Sequence, residues 1–133
     1  MNRKGFTLIE LIVTIALLAV IAVISFVSIS KVLEQGKVND CNSLVGNIKT
    51  ATKEYISDNR YNREFVNTVI DDKVIITADT LINGSYLSGP IINPYDNKTE
   101  IPASSIVIEV TLRSDYTVGE LEITSPDTLK ACK

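Results

Sequence analysis

The stretch that decides the fold of this chain is LIVTIALLAVIAVISFVSIS, residues 11–30. It contains no charged side chain, while Glu10 precedes it and Lys31 follows it. About twenty consecutive apolar residues in a helix suffice to cross the hydrocarbon core of a bilayer. The stretch therefore predicts a membrane-spanning helix near the N-terminus.

Three other interpretations of this stretch are open: a buried core helix, a cleaved secretory signal and an ordinary signal anchor. The run is long for a core helix of so small a domain. It is also about twice the usual length of a signal-peptide apolar region, and Ser28-Ile29-Ser30 is a poor match to an Ala-x-Ala cleavage site. An unpaired carboxylate at the membrane face is costly, so Glu10 argues against all three.

The amino-acid composition of the chain excludes several classes of function. The chain of 133 residues has the size of one domain, or of one small domain plus an appended segment. It lacks histidine, so histidine-based acid-base catalysis and histidine metal ligation are excluded. No nucleophile and base arrangement is recognisable, and the net charge of −3 is the wrong sign for a protein held to nucleic acid by phosphate contacts. We therefore expect no enzyme, no cofactor and no small-molecule substrate, and nucleic acid is not the default partner.

The residues before the apolar stretch set its orientation. Arg3 and Lys4 lie on its N-terminal side, and the positive-inside rule places that side in the cytoplasm. The rest of the chain is then expected outside the cytoplasm.

Residues 4–11, KGFTLIEL, closely resemble the class III signal of type IV prepilins and of pseudopilins. The resemblance implies that a prepilin peptidase cleaves between Gly5 and Phe6 and methylates the new amine of Phe6. It also implies that Glu10 meets the terminal amine of an adjacent subunit and so sets axial register. Glu10 lies four residues after Phe6, on the same helical face, and an ion pair within one subunit is also reachable. The alternative for the isolated subunit is that Glu10 only reaches the lipid headgroups.

This resemblance implies three segments. Residues 1–5 are the leader peptide, residues 6–30 the transmembrane and assembly half of the helix, and residues 31–133 an extracytoplasmic globular domain. The implied location is the cytoplasmic membrane before assembly and the cell surface or an extracellular pilus afterwards. The implied partners are prepilin peptidase, a pilus assembly platform and other filament subunits.

The helical pattern continues beyond the membrane segment. Apolar or small side chains recur at helical spacing, at Val38, Cys41, Val45, Ile48, Thr52 and Tyr55. No proline occurs before Pro90, so nothing in residues 6–58 forbids one continuous helix. This second half of the helix is expected to pack on a small domain.

The remaining sequence predicts an α+β fold with an antiparallel sheet of three to four strands. Residues 59–72 are expected to form a loop, residues 74–76 a strand, and residues 78–83 a short helix that starts at Thr77 and ends at Gly84. Apolar residues alternate over 106–112, and a turn leads into a strand over 116–124. Within that second strand the apolar parity shifts at Gly119, which predicts a bulge there.

Two cysteines and one loop are candidate sites of the exported domain. Outside the cytoplasm Cys41 and Cys132 are expected to form a disulfide, the alternative being two separate thiols with Cys41 buried. The loop at residues 84–97 is similar to the loop that precedes the sheet in many pilins. In some pseudopilins the corresponding loop binds calcium. In this chain the loop offers a single carboxylate, Asp96, so we expect a plain turn and no metal.

The function implied by the resemblance is that of a structural subunit of a type IV pilus-like filament. A pseudopilin of a type II secretion or competence system is the nearest alternative. A minor tip pilin that binds DNA or a surface is another, for which Arg60, Tyr61 and Arg63 are the candidate contacts.

Overall fold

The computed structural model describes residues 5–130 and residue 132. The leader residues Arg3 and Lys4 lie outside this range. The chain divides into two compact units, Met1–Gly36 and Lys37–Lys133. In chain order, the elements are α1 (Leu8–Asn59), α2 (Arg63–Val66), β1 (Lys73–Thr77), α3 (Ala78–Asn83), a 3-10 turn (Ala103–Ser105), β2 (Val107–Leu112), β3 (Val118–Ser125) and α4 (Asp127–Lys130). The expected α+β class is thus confirmed, with three strands.

The first unit contains the N-terminal part of α1. By length and composition α1 includes a segment able to cross a membrane, and no residue of that segment is buried. Large apolar side chains there are exposed on every side, for example Leu11, Leu18 and Ile24. A helix that is apolar all round needs an apolar environment, either lipid or other protein.

The second half of α1 provides one wall of the core in the Lys37–Lys133 unit. Cys41, Val45, Ile48 and Thr52 are buried, and the Thr52 hydroxyl donates to the Ile48 carbonyl at 2.8 Å. The expectation that Val38 belongs to this face is wrong, because its side chain is 46% exposed. The buried face begins one turn later and ends on Ile56, which is 1% exposed.

The other wall is a three-stranded antiparallel sheet in the order β1-β2-β3. Val74 of β1 lies opposite Val110 of β2, which in turn lies opposite Leu121 of β3. Alternate β2 side chains, Ile108, Val110 and Leu112, are buried, as their period of two predicts. They join Val45, Ile48 and Ile56 of α1 in one hydrophobic cluster.

The predicted bulge at Gly119 is present. Thr111 pairs with Glu120 and Leu112 pairs with Val118, so Gly119 has no partner in the ladder. A Cβ at this position would lie 2.9 Å from the Thr111 carbonyl oxygen, which explains why glycine occupies it. β3 itself starts at Val118, two residues later than expected, because Tyr116 belongs to the preceding turn with φ of 59°.

The segment between α1 and β1 is more ordered than the sequence predicted. Within the expected loop, residues 59–72, the chain forms α2. The Asn62 side chain caps it by accepting from the Glu64 amide at 3.0 Å, and Phe65 anchors it in the core. Asx capping and one buried aromatic thus outweigh the polar composition of the segment. The helix expected at residues 78–83 is confirmed as α3, although Thr77 contacts the Thr80 hydroxyl and caps no backbone amide.

Candidate processing and assembly site

The Gly5-Phe6 peptide bond lies ahead of the first helical residue. Residues 5–7 are exposed and have no regular secondary structure, and Phe6 is 87% exposed. A Cβ added to Gly5 would meet no atom within 4 Å. Packing among the described residues therefore does not require glycine at this position.

Thr7 and Glu10 form a capping box at the start of α1. The Glu10 carboxylate accepts from the Thr7 amide at 2.9 Å and from the Thr7 hydroxyl at 3.0 Å. The Thr7 hydroxyl lies 3.4 Å from the Glu10 amide, which donates to it. Thr-x-x-Glu before an apolar run is the sequence signal for this arrangement, and it is not among the predictions made from the sequence. Glu10 thus has polar partners inside its own chain before any other subunit is present.

Phe6 and Glu10 line the same hollow on the surface of the first unit. This hollow of about 290 Å³ also includes Ile9, Val13 and Thr14. In the unprocessed chain the Phe6 nitrogen is an uncharged amide bonded to Gly5. It becomes a cation only after the bond is cut, so cleavage would create a charge beside the Glu10 carboxylate.

Described hydroxyl groups of the apolar segment, among them those of Thr14 and Ser25, form hydrogen bonds to the backbone of their own helix. Thr14 donates to the Leu11 carbonyl and Ser25 to the Ile21 carbonyl, both at 2.8 Å. A hydroxyl that bonds to its own helix backbone can enter hydrocarbon without exposing an unsatisfied donor.

Cys41 and Cys132 are joined as a disulfide in the second unit. Their Cα atoms are 5.5 Å apart, within the usual range for such a bridge. The Tyr95 hydroxyl lies 3.5 Å from the Cys41 sulfur, and Leu129 of α4 is buried in the core. The C-terminal segment is therefore held to α1 by this covalent bond and to the core by Leu129.

The candidate calcium loop uses its oxygen atoms for internal hydrogen bonds. The Asp96 carboxylate accepts from the amides of Lys98 and Thr99, both at 2.9 Å, and from the Thr99 hydroxyl at 2.6 Å. These bonds, that from the Thr99 hydroxyl first, lower the pKa of Asp96 to about 2. Asn93 similarly accepts from the Tyr95 amide. Among the residues that the structure describes, no group of three acidic, histidine or cysteine side chains could hold a metal.

The candidate DNA contacts are only partly brought together. The Arg60 guanidinium carbon lies 4.7 Å from the centroid of the Tyr61 ring, which is a cation-π arrangement. Arg63 lies in α2 beside Glu64, which offsets its charge. At these three residues the structure therefore shows one stacked pair, that of the Arg60 cation with the Tyr61 ring.

The comparison with family models gives one match, to the prokaryotic N-terminal methylation motif, over residues 1–26. This motif is the signal of type IV pilins and pseudopilins, so the resemblance noted at residues 4–11 is confirmed. Comparisons with curated proteins and with solved structures returned no significant match. The chain thus combines a type IV pilin-like signal with a pilin-like α+β arrangement, in which a long N-terminal helix precedes a three-stranded antiparallel sheet.

Proposed function

We propose that this protein is a structural subunit of a type IV pilus-like filament. The observation that carries the proposal is the methylation motif, which leads directly into a helical segment with exposed apolar side chains. Residues 6–30 hold the subunit in the cytoplasmic membrane, and residues 31–133 form the exported domain. An assembly platform then moves subunits from the membrane into the polymer.

The physical basis of assembly is that the same apolar surface has two suitable environments. Moving one large apolar side chain into water costs about 1.5–3 kcal/mol, so many such side chains cannot be left exposed to solvent. Lipid satisfies them in the stored subunit, and the helices of other copies satisfy them in the filament. Because lipid is as apolar as leucine, packing and polar contacts must favour the polymer.

Glu10 provides one such polar contact. After a prepilin peptidase cuts between Gly5 and Phe6 and methylates the new amine, a cation is available to this carboxylate. Pairing with the amine of a neighbouring copy would replace the contacts that Glu10 makes with Thr7 in the single chain. The ion pair between Glu10 and the amine of the neighbouring copy can form only when the two subunits have the correct axial offset. Glu10 would therefore set the axial register of the filament.

Two measurements test this proposal. The intact mass of the membrane-extracted protein is expected to show loss of residues 1–5 and addition of one methyl group. Glu10→Ala is expected to retain this mass and the membrane pool but to be depleted from filaments sheared off the cell surface. Glu34→Ala is the matched control, since Glu34 is an exposed acidic residue of the same helix outside residues 6–30.

A mature N-terminus near Lys31 would instead indicate conventional secretion and would contradict the proposal. Normal incorporation of Glu10→Ala would remove Glu10 from the mechanism. The abundance of the wild-type chain in sheared material also separates a pilus subunit from a pseudopilin, because a pseudopilin forms only a short polymer.

A further inference from the structure

An uncharged cleft lies in the second unit, between α1 and the segment that follows α3. Its volume is about 360 Å³, which is within the range of small-molecule sites in proteins. The residues that line it, three from each side, are Leu44, Asn47, Thr50, Tyr86, Leu87 and Ser88. We call it the Asn47 cleft. None of the six side chains carries a charge at neutral pH, so an ionic ligand would lose water there without gaining a counterion.

Half-buried apolar side chains form the walls of the Asn47 cleft. Leu44, Tyr86 and Leu87 all pack against the core of the unit. The Tyr86 ring is held in place by its hydroxyl, which donates to Asp58 at 3.0 Å, and by its edge-to-face contact with the Tyr55 ring. Walls that are fixed in this way exist before a ligand arrives, so binding requires little reorganisation of the protein.

Gly84 leaves the space that the Tyr86 ring occupies. A Cβ on Gly84 would lie 2.8 Å from the Tyr86 Cδ2 atom, well inside the normal contact distance of two carbon atoms. A larger residue at this position would therefore displace the ring from the wall of the cleft.

Three polar side chains of the cleft are available to a ligand. The Asn47 amide and the Thr50 and Ser88 hydroxyls form no hydrogen bond with any residue that the structure describes. All three side chains are exposed, so a molecule in the cleft can reach them. An amide and a hydroxyl each offer both a donor and an acceptor. The cleft therefore presents hydrogen-bonding groups of both kinds beside an apolar wall.

We propose that the Asn47 cleft binds a neutral sugar unit of a glycan. A pyranose ring carries hydroxyl groups around its rim, each of them a donor and an acceptor, and C–H bonds on its two faces. The rim matches the amide and the two hydroxyls of the cleft, and a face of the ring matches the apolar wall that includes Tyr86. Neither partner needs an ionic group, which agrees with the absence of charge from the lining residues.

The usual ways of binding a peptide require features that these lining residues lack. Strand addition needs an open sheet edge, whereas the cleft is lined by α1 and by residues 86–88, which belong to no strand. A bound amphipathic helix needs a continuous apolar groove, whereas half of the lining residues are polar. Recognition of a phosphate or an acidic motif needs cations, and none of the six side chains is a cation. A neutral sugar unit is therefore the ligand that the lining fits best.

Saturation-transfer NMR on the full chain in micelles tests the binding directly. The micelles are made of a zwitterionic detergent, because maltoside and glucoside detergents carry sugar headgroups of their own. The probes are glucose, galactose and N-acetylglucosamine, each as the free sugar and as its oligosaccharides, with N-acetylneuraminic acid as the charged counterpart. We expect transfer of saturation to the neutral sugars, tighter binding of the oligosaccharides, and weaker binding of the acid.

Single substitutions locate the site. Asn47→Ala, Thr50→Val and Ser88→Ala each remove one hydrogen-bonding group and are expected to weaken binding of the neutral sugars by about threefold to tenfold. Gly84→Ala is expected to weaken binding by displacing the aromatic wall. Asn39→Ala is the matched control, because it changes an exposed asparagine of α1 about two turns away and outside the cleft, and it should bind like the wild type. Thermal unfolding midpoints equal to that of the wild type show that each variant is folded.

Several results would overturn the inference. One is the absence of saturation transfer to every neutral sugar at about 10 mM, a concentration that mostly occupies even a site with a Kd of about 1 mM. Others are equal binding by the wild type and the folded cleft variants, binding of free sugars without their oligosaccharides, and binding of the charged acid as tight as that of the neutral sugars.

A second copy of the chain is the rival occupant, and thiol labelling tests it. Ser88→Cys is expected to react with a maleimide in intact filaments sheared from the cell. Labelling only after denaturation would show that a neighbouring copy covers the cleft, and it would overturn the inference. The binding measurement uses single chains in micelles, so a failure of the proposed filament function would leave its result unaffected.

Discussion

Replacement of Cys132 by serine is expected to lower the free energy of unfolding of the Lys37–Lys133 unit, with about 4–5 kcal/mol as the upper value. The two bonded cysteines are 91 residues apart in sequence, so the bridge closes nearly the whole unit into one loop. For a loop of this length the chain-entropy treatment gives a loss of unfolded-state freedom of that size. Cys132 is the better position to change, because Cys41 is fully buried and its replacement would also disturb the core.

Urea unfolding of the full chain in detergent micelles, followed by tyrosine fluorescence, measures this effect. The chain has five tyrosines and no tryptophan, and all five lie beyond residue 37. The signal therefore reports on the second unit alone. Tyr55 and Tyr86, whose rings meet edge to face with centroids 5.5 Å apart, report on the packing between α1 and the following segments.

The same titration in a reducing agent is the internal control. Wild type and Cys132→Ser should then unfold at the same urea concentration, because neither contains the bridge. A difference below about 1 kcal/mol under oxidising conditions would refute the reasoning, because closing the loop would then contribute little to the stability of this unit. A difference that persists after reduction would show that side-chain contacts, and not the crosslink, are responsible.

Three further predictions concern single positions. Gly119→Ala is expected to lower the free energy of unfolding in urea by about 1–3 kcal/mol, because its Cβ would lie 2.9 Å from the Thr111 carbonyl oxygen. Gly46→Ala is the control and should not destabilise the protein, because a Cβ on this helical residue would meet no atom within 4 Å. Equal effects of the two substitutions would contradict this prediction. Asp96→Asn is expected to be less stable than wild type at pH 6. In the folded chain the pKa of Asp96 is lowered from 3.8 to about 2, so the difference in stability should shrink as the pH falls from about 4 to 2. A difference in stability that does not depend on pH would show that the charge of Asp96 does not stabilise its turn. Thr7→Val removes the capping hydroxyl and is expected to destabilise the first turn of α1 by about 1 kcal/mol. The effect should be seen in micelles as faster hydrogen exchange of the amides in this turn. Unchanged exchange would show that the capping box does not stabilise the start of α1.

Much of the fold follows from local sequence patterns. The period of two over residues 106–112 predicts the buried face of β2, and the change of parity at Gly119 predicts the bulge. These predictions succeed because each depends on residues within about ten positions of one another. The processing signal is local in the same way, since residues 1–26 alone match the methylation motif.

Where local polarity and long-range packing compete, the sequence predictions fail. Val38 continues the helical stripe, but the buried face of α1 starts only at Cys41. Residues 59–72 are polar, yet Phe65 finds a place in the core and α2 forms around it. In both cases the outcome depends on which distant elements are present to cover the side chain, and periodicity carries no information about that.

Charge-free length and hydrophobic period are properties of consecutive residues, so the sequence alone is enough to predict an apolar helix with a processing signal ahead of a small α+β domain. Which side chains meet across long separations becomes known from the tertiary structure. Arg60, which follows α1, lies in one cleft with Lys53 of α1 and with residues 116–118, and its Nε is buried without an acceptor among the described residues. Hydrogen-bond satisfaction depends on three-dimensional neighbours, and for Arg60 these include residues more than fifty positions away in the chain, which local periodicity does not reveal.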